Sequence, residues 1–171
     1  MAAILREKKI PVLEQMLEDV AADDAEFSLL IAFELFEHLH DPAAFLHRVN
    51  ELLRPGGYLY MTTLNGQGFD IQILWEGSKS VSPPHHLNFC NPRSMALLLE
   101  RVGFEVLEVS TPGELDWDII EGGWRAGESD PGRIFRTMAT HATPDAKHTL
   151  QQWIRDNGFS SHMRAVARKP L

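Results

Sequence analysis

Residues Phe27 to Gly57 read FSLLIAFELFEHLHDPAAFLHRVNELLRPGG, and this stretch decides the fold. Phe27 to Phe33 is almost unbroken apolar sequence, with polarity returning at Glu34. Continuous rather than alternating apolarity predicts a strand covered on both faces, as in parallel sheets flanked by helices. Asp41-Pro42 then supplies a helix start, because aspartate can cap the free amides and proline tolerates the first helical position. Phe45, Leu46, Val49, Leu52 and Leu53 fall at helical spacing on one face, with His47, Arg48 and Glu51 opposite. Pro55-Gly56-Gly57 stops the helix, and Tyr58–Thr63 is the next strand. Strand, helix and strand in this length form a parallel crossover unit. Glu34, Glu37 and His38 therefore fall where the first strand runs out, at the end of the sheet where open parallel sheets bind ligands.

Working outward, Arg6 to Lys9 suits the last turn of a helix whose beginning is absent, and Ile10–Leu13 reads as a short apolar strand that Pro11 would place at a strand start or sheet edge. Glu14 to Ala25 is acidic, a short helix plus loop whose charges read as a solvated face. Downstream, Asn65-Gly66-Gln67-Gly68 reads as a turn and Phe69–Trp75 as a short helix. Pro83-Pro84 is expected to hold His85–Cys90 extended. Asn91-Pro92 repeats the earlier start signal; Met95, Leu98, Leu99 and Val102 give that helix a buried stripe ending at Gly103. Phe104–Val109 is strand-like. From about 110 to 143 the pattern is lost, with Gly, Pro, Asp and Trp scattered among short helical pieces, which suggests an irregular insertion or lid. Thr143-Pro144 starts a last helix that buries Leu150, Trp153 and Ile154. His162–Lys169 is a closing strand whose charges suit a sheet edge.

The chain has 171 residues, enough for one domain with a real core. A net charge of −8 and a sequence pI near 5.4 give no electrostatic drive toward nucleic acid. No apolar run approaches the ~20 residues of a membrane span, and the N-terminus is too interrupted by charge for a secretory signal. The lone Cys90 excludes an internal disulfide and fits a reducing, cytoplasmic setting.

Three segments in order, FELFEHLHDP, LLRPGGYLYMTT and PPHHLNFCNPRSMALLLERVGFEVLEV, resemble class I S-adenosylmethionine-dependent methyltransferases of the ubiquinone-type branch. The resemblance covers most of residues 10–110, and HMRAVARK is similar to the family's final strand. One departure is Ser28, where family members carry an acidic residue. The resemblance implies an α/β fold: a Rossmann-like sheet with helices on both faces, in a single partial domain over 1–171 lacking the family's N-terminal strands. With them goes the family's glycine-rich loop; Gly66-x-Gly68 and Gly122-Gly123 follow the wrong elements and read as turns.

The resemblance further implies S-adenosylmethionine as cofactor and methyl transfer to an O, N or C nucleophile of a small molecule, with this chain incomplete for that activity on its own. Ala32, Phe33 and Glu34 would line the methionine end of the cofactor, with Met16 and Leu17 beside its adenine. Glu37, His38 and His86 are the candidate catalytic residues, since imidazole can take a proton near neutral pH. Some ubiquinone-type relatives use a divalent metal near such a turn; the sequence displays no full ligand set, and no metal site is assigned. Trp75, Trp117 and Trp124 could wall a substrate pocket or pack a lid. The competing reading is a non-catalytic, methyltransferase-like interaction module. A sheet without its central strands would expose an apolar edge and face, which a second copy of the chain could cover.

Overall fold

A computed structural model describes residues 2–21 and 27–171. The elements run α1 (Ala2–Glu7), β1 (Phe27–Phe33), α2 (Pro42–Leu52), β2 (Leu53–Leu64), α3 (Phe69–Leu74), α4 (Pro92–Arg101), β3 (Glu105–Ser110), α5 (Asp116–Arg125), α6 (Gly132–His141), α7 (Pro144–Asp156) and β4 (His162–Arg168). Their strands form one mixed sheet in the order β1-β2-β4-β3. β1 pairs parallel with β2, and β4 lies antiparallel between β2 and β3. The α/β class expected from the sequence is the class observed.

The helix starts form as the sequence dictates. Asp41 accepts from the Ala44 amide at 2.9 Å, Asn91 and Ser94 form a reciprocal capping box, and Thr143 caps α7. Each cap satisfies an amide that the first turn would leave orphaned. Gly103, at φ +96°, carries α4 into β3.

The main core lies on one face of the sheet. Phe45, Leu46 and Val49 of α2 and Met95 and Leu99 of α4 pack on Leu59, Met61, Ala165 and Ala167. On β1 only Leu30 and Ala32 turn toward this core. Phe27, Leu29, Ile31 and Phe33 point the other way and are exposed, as are Tyr58 of β2 and Leu107 of β3. The unbroken apolar run of β1 thus serves one face packed by helices and one face that no described residue covers. A second core joins Trp117, Ile120, Phe135 and Ala139, with Phe69, Leu74, Met138 and Leu150 against it. It forms from the stretch without clear pattern, which folds as the two ten-residue helices α5 and α6.

Four local expectations are corrected. Ile10–Leu13 forms no strand, because none of its backbone groups finds a sheet partner. β4 is an inner strand, not an edge: its Arg164 and Arg168 are placed by ion pairs to Glu108 and Glu105 of β3, both at 2.6 Å, on the open face. Ser82 to His86 turns rather than running extended, with the His85 and His86 amides both donating to the Ser82 carbonyl. Trp153 is about half exposed, stacked on Phe159, while Ile154 beside it is fully buried. Of the acidic N-terminal segment, Leu17–Asp19 is a 3-10 turn on α2; Asp23, Asp24 and Glu26 lie outside the described residues.

Candidate active site

The carboxyl ends of β1 and β2 open into a cleft of about 700 Å³, a volume suited to a small molecule. Its floor comes from the strand ends and the 3-10 turn Phe36–His38, one wall from α3 and the loop after it, and the opposite wall from α5. β4 contributes Ser161 and His162.

The loop carrying the second histidine pair is stitched to the turn carrying the first. The amides of Leu87 and Asn88 donate to the Glu37 carbonyl, and the Asn88 side chain donates to the carbonyls of Phe36 and Leu39. Glycine permits the neighbouring approach: a Cβ on Gly66 would stand 2.3 Å from the Phe89 carbonyl oxygen, so Gly66-x-Gly68 is a close-packing site as well as a turn.

This stitching brings Glu37, His38 and His86 together, with one donor atom of each lying within 4.8 Å of the others. His38 Nδ1 meets the His85 carbonyl at 2.8 Å and His86 Nδ1 meets the Ser80 carbonyl at 2.7 Å. A carbonyl can only accept, so both Nδ1 atoms carry the proton and each neutral ring keeps a lone pair on Nε2. Glu37 is buried, and its Oε2 accepts from Thr63 Oγ1 at 2.7 Å, which leaves Oε1 for another partner. Two oriented imidazoles and a carboxylate at this spacing can bind a divalent cation or accept a proton from a ligand. The donor set fits such a metal. His86 stands far from Glu37-His38 in the chain, so no local motif displays the set.

Glu34, the residue after β1, has a left-handed backbone, φ +46°, a conformation that costs a non-glycine residue of order 1 kcal/mol and clusters at functional sites. Its carboxylate meets His162 Nε2 at 3.2 Å and accepts from Thr62 Oγ1 at 2.7 Å. The His162 contact holds Glu34 below the usual carboxylate range, against burial, with help from Thr62. In return the Glu34 contact raises His162 against burial, and the charges of Glu34, Asp70 and Glu37 add to the effect.

The other cofactor candidates are dispersed. Ala32 faces the helix-packed core, Phe33 lies on the open sheet face against Tyr60, Leu17 packs toward α2, and Met16 is exposed. Of the tryptophans, Trp117 stacks on Phe135 at 4.5 Å in the second core, Trp124 packs beside it, and Trp75 is exposed; none lines the cleft. Cys90 is half-buried against the main core, and burial pushes its thiol up, away from nucleophilic use. The sequence reading missed Asp70 and His162, both in the cleft. The one sequence signal for either is an aspartate opening a short helix after a glycine turn.

A strand, an acidic-imidazole turn, a crossover helix and a ligand cleft at the strand ends are the arrangement of a class I methyltransferase-type fold. The profile of the Methyltransferase domain family matches residues 3–109, and the chain belongs to that family. It is 30% identical over 103 residues to the ubiquinone biosynthesis O-methyltransferase of Xanthomonas axonopodis pv. citri, a match covering 56% of this chain and 43% of that protein. The chain therefore spans less than half the length of that curated relative. Among solved structures it is similar to a possible histamine N-methyltransferase of Thermotoga maritima (TM-score 0.60, 16% identity, 99% of this chain and 68% of that one). It is also similar to the cyclase SpnF (TM-score 0.58, 16% identity, 99% of this chain and 61% of that one). At these identities the likeness is one of fold, and a cyclase on the same fold shows that function must be argued from the site.

Proposed function

We propose that this chain supplies the acceptor cleft and one cofactor wall of an S-adenosylmethionine-dependent methyltransferase acting on a small molecule. The observation that carries the reading is the convergence of Glu37, His38 and His86 on one cleft, both imidazoles presenting Nε2. The cofactor, when bound, supplies an electrophilic methyl group on a positively charged sulfur. Glu34, held ionised by His162 and Thr62, is suited to that positive charge, and the exposed Phe33 beside it offers apolar surface. With both partners bound, the cleft would hold the acceptor's O, N or C atom against that methyl carbon, and sulfur would keep the carbon–sulfur electron pair. His86 Nε2 takes the proton that the acceptor releases, because its Nδ1 is already committed to the Ser80 carbonyl. The cleft walls hold the two partners in line and exclude water. In a metal-loaded site Nε2 of His86 would instead be a ligand: Glu37, His38 and His86 would hold a divalent cation, which would acidify a hydroxyl acceptor in place of the base.

The exposed row Leu29, Ile31 and Phe33 supports a further part of the reading, that a second copy of the chain covers the open sheet face.

Isothermal titration with S-adenosylmethionine, whose sulfonium carries the charge that Glu34 would meet, tests the proposal. Binding that weakens about ten-fold or more, roughly 1.4 kcal/mol, in Glu34→Gln is expected. Absence of binding, or an affinity indifferent to Glu34, overturns it.

A further inference from the structure

The cleft walls are unbalanced in charge. Glu34, Glu37, Asp70, Asp118 and Glu128 line it against one lysine, Lys79, and His162, which is paired with Glu34. That lysine is 89% exposed and engaged with Glu128 at 3.0 Å. Acidic residues alone would mean little, but Asp70 is different in kind. It sits in the first turn of α3, 5% exposed, on the cleft wall. Its Oδ2 accepts from Ser78 Oγ at 2.5 Å and Ser80 Oγ at 2.7 Å. Its Oδ1 is buried and has no hydrogen-bond partner among the described residues. The flank of that oxygen is clear because residue 68 is glycine; a Cβ there would stand 2.9 Å from it.

Two neutral hydroxyls do not offset a buried negative charge, and the nearest cation, His162, is already shared with Glu34. A protein with a free choice would place asparagine or an apolar residue at such a position. The Ser78-Lys79-Ser80 turn is also the one whose Ser80 carbonyl orients His86. The Asp70 carboxylate thus lies one turn of backbone from the imidazole assigned to proton removal.

We infer that the ligand of this cleft is a small organic cation of the protonated-amine class, its ammonium group held on the Asp70 side with His86 beside it. The inference rests on the proposed methyl-transfer reading only in naming the ligand as the methyl acceptor. In that setting the amine enters protonated and passes its proton to Nε2 of His86. Its nitrogen lone pair then forms the bond to the methyl carbon as the carbon–sulfur bond breaks toward sulfur. Atoms and charge balance without any further reactant.

The test is a binding comparison made without cofactor, so that its failure is separate from failure of methyl transfer. Amide NMR shifts are followed while the protein is titrated with 2-phenylethylamine and, separately, with the neutral isostere 2-phenylethanol. The amine is expected to bind at least about ten-fold more tightly and to shift Asp70, Ser78, Ser80 and His86. Asp70→Asn, which keeps the side-chain shape, is expected to bring the two ligands within about two-fold. Asp118→Asn, an exposed change on the α5 wall that does not disturb the core, is expected to weaken the amine alone by a few-fold. Equal binding of amine and alcohol in the native chain, or a preference unchanged in both variants, overturns the inference. A parallel titration with magnesium chloride separates the two sources of positive charge. If magnesium shifts the same signals and the amine does not, the cation is a metal and the amine class is wrong.

Discussion

Glu121 is the pin that holds the α5 wall of the cleft to α7, and removing its charge should loosen both. Its Oε2 meets Lys147 Nζ at 2.7 Å and Trp117 Nε1 at 2.6 Å, and its Oε1 meets the Arg125 guanidinium at 2.5 Å. Burial pushes this carboxyl up, but the contacts with Lys147, Arg125 and Trp117 outweigh it and draw the group from 4.5 down to about 2. A displacement of that size corresponds to about 3 kcal/mol of preference for the ionised form. Arg125 is largely solvated, so screening cuts the usable part to roughly 1–2 kcal/mol. Because the folded-state value is depressed, this stabilisation is fully present above pH 4.5 and fades as pH falls toward 2. Glu121→Gln should therefore unfold about 1–2 kcal/mol more easily than the native chain in urea at pH 7. The gap should close as the same titration is repeated from pH 4.5 down to 2.5. A gap below about 0.5 kcal/mol at pH 7, or one that stays constant into acid, would refute the reasoning.

Three further outcomes follow from single features of the structure. Asp41→Ala removes the cap of α2 and should cost about 1 kcal/mol in denaturant unfolding; no loss would mean that the Ala44 amide is satisfied by solvent. Because Glu34 is depressed and His162 raised, their pair stabilises most between about pH 4.5 and 6.5. That stability fades above as His162 deprotonates and below as Glu34 protonates, by under about 1 kcal/mol at this exposure. Histidine NMR should show the His162 midpoint falling in Glu34→Gln, and an unmoved midpoint would exclude the pairing. Ile31→Lys combined with Phe33→Lys places two charges on the open sheet face and should reduce concentration-dependent association in sedimentation, with thermal stability kept. Unchanged association would show that this face is not the contact.

What the sequence made legible was local. β1 ends at Phe33 as read from the return of polarity at Glu34, and the caps at Asp41, Asn91 and Thr143 start their helices where the Asx-Pro and Thr-Pro pairs stand. The turn Glu37-His38 was recognisable, and so was His86, since each sits in a short segment with its own signature. What was not legible depends on pairing across long separations. β4 inserts between β2 and β3 because its Ala165 and Ala167 match Met61 and Leu59 on the core face, a register that no local pattern encodes. Its arginines looked like an edge because the partners Glu105 and Glu108 lie some sixty residues upstream. His162 reached the cleft for the same reason, and Asp70 was hidden inside what read as a short helix. The helices α5 and α6 read only as short helical pieces in an irregular insertion because glycines, prolines and exposed apolar residues such as Ile119 and Ile134 blur their periodicity.

The central claim is that the carboxyl end of β1 forms a wall of the cofactor site. Ultraviolet cross-linking of S-adenosylmethionine carrying a labelled methyl group, followed by tryptic mapping, tests it most directly. Trypsin releases residues 10–48 as one peptide, which carries Ala32, Phe33, Glu34, Glu37 and His38, and residues 80–93 as another, which carries His86. The account predicts label in the first peptide, within Ala32–His38, and loss of that label when unlabelled S-adenosylhomocysteine competes. Label confined to other peptides, or label in the first that the competitor leaves in place, would contradict it.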